Sequence, residues 1–391
     1  MYQQLKEQFE AIFGKKPEAV FSAPGRSELS GNHTDHQHGC VLAAAIDLEA
    51  LACVARNNEN VIRVQSKGYP MCVIDLNDLS VHPEEANTTA SLIRGVAAAF
   101  KERGCKPGGF DAYVESTVLP GSGLSSSAAF EVLMGTVING LYYENCLNAV
   151  EIAQIGQWAE NVYFGKPCGL MDQMACSVGN IISIDFADTL HPAIERIDFD
   201  FSKAGHALCI IDSGADHADL TDEYADITKE LKAVCRLFGK EYLREVDEDA
   251  FYERLDEVRA AAGDRAVMRA IHVFEENKRV RQQVEALKRS DFDAFLALVL
   301  QSGASSWTHL QNVVPTGAKM HQEVAVALAL AKRMLRGRGA YRVHGGGFAG
   351  TIQAFVPLDM LDKFKSGMEK VLGEGSCHVL SIRSDGGKRV E

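Results

Sequence analysis

The chain has 391 residues, which is more than one compact core usually holds, so two lobes are expected. Its 40 basic and 53 acidic side chains give a formal net charge of −13. An acidic surface disfavours non-specific binding to nucleic acid or anionic lipid, so neither nucleic acid nor a membrane is expected as a partner. The ten cysteines include no Cys-x-x-Cys pair, a pattern typical of buried thiols in a reducing cytoplasm.

The first half of the chain mixes strand and helix patterns. Leu5, Phe9, Ile12 and Phe13 share one face of a predicted N-terminal helix, unlike the apolar run of a signal peptide. No apolar stretch is long enough to cross a bilayer, so a cytoplasmic location is expected. Strands are predicted at 41–47, 51–56, 61–66 and 110–115. Helices are predicted at 90–102, 128–141 and 146–164.

The pattern changes near residue 200. A buried strand is predicted at 206–212, mainly helix at 224–298, and strand-like sequence at 342–356 around a glycine run. No internal repeat or low-complexity linker separates the halves. The change of pattern therefore predicts two domains, at 1–200 and 201–391.

Residues 120–129 form a serine-rich loop with the sequence Pro-Gly-Ser-Gly-Leu-Ser-Ser-Ser-Ala-Ala. Its glycines allow backbone N–H groups to approach an anion, and the following helix directs its positive end at the same place. The chain lacks the Gly-x-x-x-x-Gly-Lys-Ser/Thr motif, and this loop does not fit Gly-x-Gly-x-x-Gly. The loop predicts a phosphate site, and the alternative is a serine-capped helix after a flexible turn.

A polar, histidine-rich loop occupies residues 31–39. One interpretation is sugar recognition, with Asp35 accepting hydrogen bonds from two hydroxyls and with His33 and Asn32 serving others. A solvated turn is the second interpretation. A metal site is the third, although the spacing fits no common zinc motif. The candidate metal ligands are His33, Asp35, His36 and His38.

Two further segments carry groups of chemical interest. Glu160 falls near the end of a predicted helix, and Asp172 follows a glycine-containing turn. Two carboxylates in different settings suit binding of magnesium and contact with a reacting hydroxyl, although Glu160 alone is equally typical of a helix surface. The run Gly-Gly-Gly-Phe-Ala-Gly at 345–350 fits Gly-x-Gly-x-x-Gly but lacks the β-α-β context, so a tight hairpin is its alternative.

These segments, taken in order, resemble a known family. The matching motifs are Pro-Gly-Arg at 24–26, Gly-x-His-Thr-Asp at 31–35, the serine-rich loop, Gly-Leu-Met-Asp-Gln at 169–173 and Gly-Gly-Gly-Phe-x-Gly at 345–350. They resemble the GHMP kinases and, within them, the galactokinase family. The resemblance implies an α+β, two-lobed GHMP kinase fold, with an N-terminal α+β lobe, a C-terminal ferredoxin-like lobe and an active site between them. It also implies ATP as co-substrate and Mg²⁺ as cofactor.

The resemblance also implies roles for individual residues. Asp172 corresponds to the catalytic aspartate that faces the sugar C1 hydroxyl, and Arg26 to its partner. Ser127 and Glu160 correspond to the magnesium ligands. The implied substrate-binding residues are Asn32, His33, Asp35, His36, Gly169 and Tyr224. The implied ATP-binding and phosphate-binding residues are Gly121, Gly123, Leu124, Ser125, Ser126, Ser127 and Ala128.

The histidine-rich loop departs from the family pattern. Galactokinases usually have Gly-Glu-His-Thr-Asp-Tyr-Asn-Gly-Gly, and here Asn32 replaces the glutamate that contacts the sugar C6 hydroxyl. A neutral Asn32 would not repel a C6 carboxylate, and His36 or His38 could attract one. The run Asp-His-Gln at 35–37 resembles galacturonate kinase. After Tyr224, the arginine pair of the family is replaced by Ala-Asp-Ile-Thr.

The leading prediction is a galactokinase-type kinase that phosphorylates the C1 hydroxyl of D-galactose. A kinase for a related sugar, galacturonate or arabinose, is the first alternative. Two other classes remain, a non-catalytic regulator that binds sugar and ATP and a metal-dependent hydrolase built on the histidines. The expected partners are a small-molecule sugar and ATP, and the expected assembly is a monomer or a weak homo-oligomer.

Overall fold

The computed structural model describes residues 2–118, 123–166, 168–215 and 220–391. Within these residues the protein is a mixed α+β structure with one sheet of eight strands and one of four. The predicted α+β fold class is therefore confirmed. None of the helices in the described part of the chain combines the length and apolarity needed to cross a membrane.

The first sheet contains most of the N-terminal strands. Its strands are β1 Ala19–Ser30, β2 Cys40–Arg56, β3 Val61–Ser66, β4 Cys72–Asp75, β5 Phe110–Ser116, β6 Ile181–Asp185, β7 Ala193–Ile197 and β12 Lys388–Arg389. They follow the order β12-β1-β2-β5-β3-β4, with β6 pairing with β2 and β7 with β6. β3 and β5 pair in parallel, and the neighbouring pairs β1–β2 and β2–β5 are antiparallel.

One strand differs from its prediction. The sequence predicted separate strands at 41–47 and 51–56, whereas β2 runs without a break from Cys40 to Arg56. Its first half pairs with β6 and its second half with β5. The polar residues at 47–49 therefore mark a change of partner along one strand, and the prediction of two strands was wrong.

The second sheet consists of β8 His206–Asp212, β9 Ala340–Val343, β10 Thr351–Pro357 and β11 Cys377–Leu380. Its order is β11-β8-β10-β9, and its described pairs are all antiparallel. Two helices, α11 Glu323–Leu335 and α12 Leu361–Leu372, share a hydrophobic core with this sheet. On β10, Phe355 packs against Phe295, with ring centroids 5.2 Å apart, and this contact belongs to the large core shared with the first sheet.

The remaining helices surround the two sheets. They are α1 Gln3–Phe13, α2 Thr89–Glu102, α3 Ser126–Tyr142, α4 Ala149–Ala159, α5 Met171–Val178, α6 Thr221–Leu237, α7 Glu248–Glu253, α8 Leu255–Ala262, α9 Asp264–Lys288 and α10 Phe292–Ser305. The helix predicted at 146–164 begins only at Ala149, because Asn148 and Glu151 form a capping box there. Its last turn, Glu160–Phe164, widens into a π-helix.

The topology brings three loops together. The histidine-rich loop connects β1 to β2, and the serine-rich loop leads into α3. The glycine run lies in the late glycine loop (residues 344–350), which joins the antiparallel strands β9 and β10. The second sheet begins at His206, close to the predicted boundary, while β12 near the C-terminus pairs with β1. The division at residue 200 stays a prediction.

Candidate active site

An arginine and an aspartate from distant parts of the chain form a bidentate ion pair. Arg26 lies in β1 and Asp172 in the first turn of α5. Arg26 Nε lies 2.6 Å from Asp172 Oδ1, and Nη2 lies 2.8 Å from Oδ2. Burial raises the pKa of Asp172, but the charge and hydrogen bonds of Arg26 outweigh that effect and hold this pKa below its usual value. The carboxylate is therefore ionised at neutral pH.

The ion pair is joined to the end of the serine-rich loop. Ser125 Oγ donates a hydrogen bond to Asp172 Oδ2, and Arg26 Nη1 donates to the Gly123 carbonyl. The backbone N–H of Arg26 donates to the Leu124 carbonyl at 3.2 Å. The Arg26 side chain is 8% exposed and that of Asp172 is 31% exposed. The aspartate is thus the member of the pair that solvent and ligands reach.

The serine-rich loop does not end in an ordinary serine cap. Ser125 occupies the N-cap position of α3 with a φ of +56°, and its side chain makes no capping hydrogen bond. The hydroxyl is bonded to Asp172 instead. The described part of the predicted phosphate site, Gly123 to Ala128, lies at the N-terminal end of this 17-residue helix, where helix N–H groups favour anions. Gly121 lies outside the described residues.

The second predicted carboxylate, Glu160, lies at a cluster of buried oxygen atoms. Ser127 Oγ donates to Glu160 Oε1 at 3.1 Å. Gln173 Nε2 donates to Glu160 Oε2 at 2.8 Å and to Glu131 Oε2 at 3.0 Å. One amide nitrogen therefore bridges two carboxylates, and it fixes the direction in which each of them points.

Glu131 is a member of this cluster that the sequence interpretation missed. It is fully buried in α3, and burial together with the charge of Glu160 raises its pKa well above the usual value. Its Oε1 atom has no hydrogen-bond partner among the described residues. The signal was an acidic residue four positions after Ser127 in a helix that has no other charged side chain. Residues four apart share one helical face.

The oxygen cluster suits a hard divalent cation. A hydroxyl and a carboxylate are typical Mg²⁺ ligands, and Mg²⁺ is commonly held by one or two carboxylates together with phosphate oxygens. Ser127 and Glu160 lie within hydrogen-bond distance of each other at the start of α3, where phosphate is also expected. Glu131 Oε1, which has no hydrogen-bond partner in the described part of the chain, adds acceptor capacity nearby. The residues present therefore fit Mg²⁺.

Asp35 and Asp172 line one cleft, which is the candidate active site. Burial, and then the charge of Asp172, raise the pKa of Asp35 to about 6. Its Oδ1 accepts a hydrogen bond from the backbone N–H of His36 at 2.8 Å. Its Oδ2 lies so close to Gly169 that a Cβ added there would be 1.8 Å away. Glycine at position 169 therefore leaves room for the Asp35 carboxylate, because it has no side chain.

Two histidines of the loop, His33 and His36, are neutral at pH 7. His33 Nδ1 lies 3.2 Å from His36 Nε2, and His33 Nε2 lies 2.9 Å from the Gly346 carbonyl. Burial is the main cause that lowers the pKa of His33 to about 3 and that of His36 to about 4. His38 stacks on Tyr242 with ring centroids 3.5 Å apart. His33 and His36 therefore bring no positive charge to the cleft at neutral pH.

Two predicted substrate contacts have protein partners in the structure. Tyr224 Oη donates to the Gly347 carbonyl at 2.9 Å, and burial raises its pKa to about 12. Asn32 is fully buried. Its amide nitrogen donates to Glu28 Oε1 at 3.1 Å and to the Gly345 carbonyl at 2.6 Å. The structure therefore gathers Arg26, Asp172 and Asp35 at the cleft and directs the Asn32 side chain into the protein.

The histidine-rich loop shows no metal-binding arrangement. Across the residues that the structure describes, no group of three or more His, Cys, Asp or Glu side chains is placed to hold a metal ion. The rings of His33 and His36 bond to each other and to protein groups instead. The hydrolase alternative therefore gains no support from the described part of the site.

Family models match two segments that contain these residues. The galactokinase galactose-binding signature matches residues 7–56, and the GHMP kinases N terminal domain matches residues 91–180. Galactokinase from Streptomyces coelicolor is 33% identical over 371 residues, which are 93% of this chain and 91% of that protein. This relative and the two matched segments together define the class of the protein as a GHMP kinase.

Solved structures agree at the level of the fold. Lactococcus lactis galactokinase complexed with galactose superposes with a TM-score of 0.85 at 24% identity, covering 99% of both chains. Methanococcus jannaschii mevalonate kinase gives a TM-score of 0.65 at 16% identity over 93% of this chain and 98% of that one. Given the extent of the Streptomyces match, the chain belongs to the galactokinase family of ATP-dependent sugar kinases.

Proposed function

We propose that this protein transfers the γ-phosphoryl group of ATP to the C1 hydroxyl of D-galactose. The observation that carries the proposal is the bidentate Arg26–Asp172 pair, which lies at the end of the serine-rich loop and faces Asp35. This arrangement offers an ionised carboxylate, a fixed cation and a helix N-terminus in one cleft. Those are the groups that in-line phosphoryl transfer requires, because the reaction depends mainly on positioning and charge stabilisation.

Each member of the pair has a distinct part in the proposed reaction. Asp172 accepts a hydrogen bond from the C1 hydroxyl and takes its proton as the bond from that oxygen to the γ-phosphorus forms and the bond to the β,γ-bridging oxygen breaks. Arg26 holds the carboxylate in its orientation. Its positive charge also stabilises the negative charge on the transferring group. ADP leaves with the bridging oxygen.

Phosphates and Mg²⁺ occupy the start of α3 in this proposal. The backbone of Gly123 to Ala128 and the hydroxyl of Ser126 bind the phosphate groups, because the Ser125 hydroxyl donates to Asp172. Ser127 and Glu160 hold Mg²⁺. When bound, Mg²⁺ neutralises charge on the phosphate oxygens. Gln173 orients Glu160 through its hydrogen bond at 2.8 Å. The late glycine loop closes the nucleotide side of the cleft.

The sugar lies between Asp172 and Asp35. Asp35 accepts hydrogen bonds from sugar hydroxyls, and Gly169 lets its carboxylate pack against the chain there because glycine has no side chain. His33, His36 and Tyr224 line the remainder of the sugar site. Since His33 and His36 are neutral at pH 7 and His38 stacks on Tyr242, the loop offers little attraction to a C6 carboxylate. This favours galactose over galacturonate.

The partners and the location follow from the same proposal. The bound molecules are a small sugar and ATP, and the net charge of −13 argues against nucleic acid and anionic membranes. A cytoplasmic location and a monomeric or weakly associated state stay predictions.

The proposal is tested by measuring ADP release with Mg-ATP and a panel of free sugars that contains galactose, galacturonate and arabinose. Turnover that is fastest with galactose is the expected result. Faster turnover with another sugar would support the proposed reaction but would show that galactose is not the preferred substrate. Absence of turnover with every sugar, combined with retained sugar and ATP binding in calorimetry, would favour the non-catalytic regulator and overturn the proposal.

A further inference from the structure

Asn32 uses every hydrogen-bonding atom of its side chain inside the protein. Its Nδ2 atom donates to Glu28 Oε1 and to the Gly345 carbonyl, at 3.1 and 2.6 Å. Its Oδ1 atom accepts from Asn312 Nδ2 at 2.8 Å and from Ser306 Oγ at 3.3 Å. Two donated and two accepted bonds satisfy an amide, and no other side chain of this size offers two N–H donors together with a carbonyl acceptor.

The backbone of Asn32 is held as firmly as its side chain. The Asn32 carbonyl accepts from His272 Nε2 at 2.9 Å, and His272 is itself fully buried and bonded through Nδ1 to Ser305 Oγ at 2.9 Å. The residues on either side, Gly31 and His33, have φ values of +93° and +59°. A Cβ at Gly31 would lie 2.6 Å from the Cys40 carbonyl. Asn32 therefore has little freedom to turn toward the cleft.

These bonds connect the histidine-rich loop to the late glycine loop. Asn32 Nδ2 reaches Gly345, and Asn312 Nδ2 bonds to both Asn32 Oδ1 and the Gly346 carbonyl, at 2.8 and 3.0 Å. The backbone N–H of Phe348 in turn donates to the Asn312 carbonyl, with a distance of 2.5 Å between nitrogen and oxygen. The two loops come from opposite ends of the chain, and Asn32 and Asn312 form the bridge between them.

We propose that Asn32 is a positioning residue, which fixes the histidine-rich loop against the late glycine loop through Asn312, and that it does not contact the sugar C6 group. The inference rests on the proposed sugar-kinase function. Its consequence is that a change at Asn32 affects binding of all sugars alike, because it moves His33 and Asp35 as a unit. A C6 contact would instead affect only the sugars that carry a C6 substituent.

The isosteric change Asn32→Asp tests this inference. The new carboxylate would face two acceptors, Glu28 Oε1 and the Gly345 carbonyl, and would lose both donated bonds while it keeps its size. We expect about a tenfold or larger fall in kcat/KM for sugar, because buried acceptors are left facing one another. The fall should be the same for galactose and for 6-deoxygalactose, which lacks the C6 hydroxyl.

A matched control separates this effect from general loss of stability. Asn139 is a buried asparagine in α3 that donates to the Leu147 carbonyl at 2.9 Å and accepts from the Leu147 N–H at 3.2 Å. It lies 13 residues beyond Ser126, about 20 Å along the helix. Asn139→Asp should lower the melting temperature as Asn32→Asp does, but it should leave kcat/KM for sugar unchanged.

Hydrogen exchange provides a readout that needs no substrate. Asn32→Asp should increase backbone exchange in residues 344–350 and 31–38, and Asn139→Asp should not, because only the former breaks the bridge. Unchanged exchange in residues 344–350, or a kinetic loss confined to galactose and absent with 6-deoxygalactose, would overturn the inference. If the unaltered protein turns over no sugar, the proposed function fails, and the exchange result still decides the role of Asn32.

Discussion

Two hydrogen-bond donors, Arg26 and Ser125, fix the orientation of the Asp172 carboxylate. Asp172→Asn keeps the size of the side chain but removes its charge and its capacity to accept a proton. We expect turnover to fall by about 10²- to 10⁴-fold, the usual contribution of a positioned base, with little change in ATP affinity measured by calorimetry. Asp359→Asn, which alters only a surface pair with Arg338, is the control. Near-normal turnover in Asp172→Asn would contradict the proposed role.

Asp35 gives the site a pH dependence of its own. Burial and the nearby charge of Asp172 raise its pKa to about 6, so the side chain is protonated below that pH and ionised above it. Because the ionised form accepts hydrogen bonds from sugar hydroxyls, kcat/KM for sugar should fall as the pH drops through 6. His33 and His36, with pKa values of about 3 and 4, do not titrate in this range.

The variant Asp35→Asn assigns that pH dependence. It should have a lower kcat/KM at pH 7.5 and should lose the fall near pH 6. If kcat/KM for sugar still falls near pH 6 in Asp35→Asn, the titrating group is another residue.

At the scale of elements, three helix ends converge on the magnesium ligands proposed here. The start of α3 supplies Ser127, the π-helical turn after α4 supplies Glu160, and the first turn of α5 supplies Gln173. Helix α4 packs closely against α3 and α5 at Gly156. A Cβ added there would lie 3.1 Å from both Gln173 Cγ and Glu131 Cβ. The geometry of the cluster thus depends on how these helices pack.

The variant Gln173→Met tests this arrangement by removing the bridging amide while keeping the length of the side chain. We expect the affinity for Mn²⁺ in the presence of nucleotide, measured by electron paramagnetic resonance, to fall about 10- to 100-fold, as is typical when a partner of a metal ligand is lost. Gln154→Met in α4, where the amide donates to the Leu190 carbonyl, is the matched control. Equal Mn²⁺ affinity in both variants would argue against an orienting role for Gln173.

Most individual helices and strands were predictable, because the sequence patterns that indicate them lie within the element itself. Helix α2 was predicted at 90–102 and spans Thr89–Glu102, and β5 was predicted at 110–115 and spans Phe110–Ser116. The continuity of β2 was not predictable, since it depends on exchange of partner from β6 to β5. The position of Asn32 was equally hidden, because its partner Asn312 lies 280 residues away in the chain. Motif order supplied the family and the residues of the cleft, but not which side chains face it.

At the scale of the whole molecule, buried histidines make stability depend on pH. Burial lowers the pKa values of His33, His36 and His272 to about 3, 4 and 4. A group whose folded pKa lies below its unfolded value stabilises the fold fully above the unfolded pKa, here 6.5, and loses that contribution as the pH falls. Asp35, with a raised pKa, acts in the opposite direction between about 6 and 3.8.

His344, whose pKa burial also lowers, acts with these three histidines, and Glu28 and Glu131, whose pKa values burial raises, act with Asp35. We expect the four histidines to outweigh the three carboxyl groups in this window. The free energy of unfolding, measured by urea denaturation, should be lower at pH 5 than at pH 7.5, and each histidine can contribute up to about 1.4 kcal/mol per pH unit below 6.5. Equal or greater stability at pH 5 would show that these rings are not buried in their neutral form.

The two sheets contribute different parts of the cleft. The first sheet carries Arg26 and the histidine-rich loop, and the second sheet carries the late glycine loop between β9 and β10. Residues that touch across this junction, such as Glu28 and Arg342, form a buried ion pair. The active site is thus a product of the complete fold.

The most direct test of the proposed reaction is the identity of its product. The protein is incubated with Mg-ATP and galactose, and the product is analysed by phosphorus and proton nuclear magnetic resonance. The expected result is one new phosphate ester whose phosphorus couples to the anomeric proton, with formation that depends on Asp172. A phosphate on any other hydroxyl, or ATP hydrolysis without a phosphorylated sugar, would contradict transfer to the C1 hydroxyl.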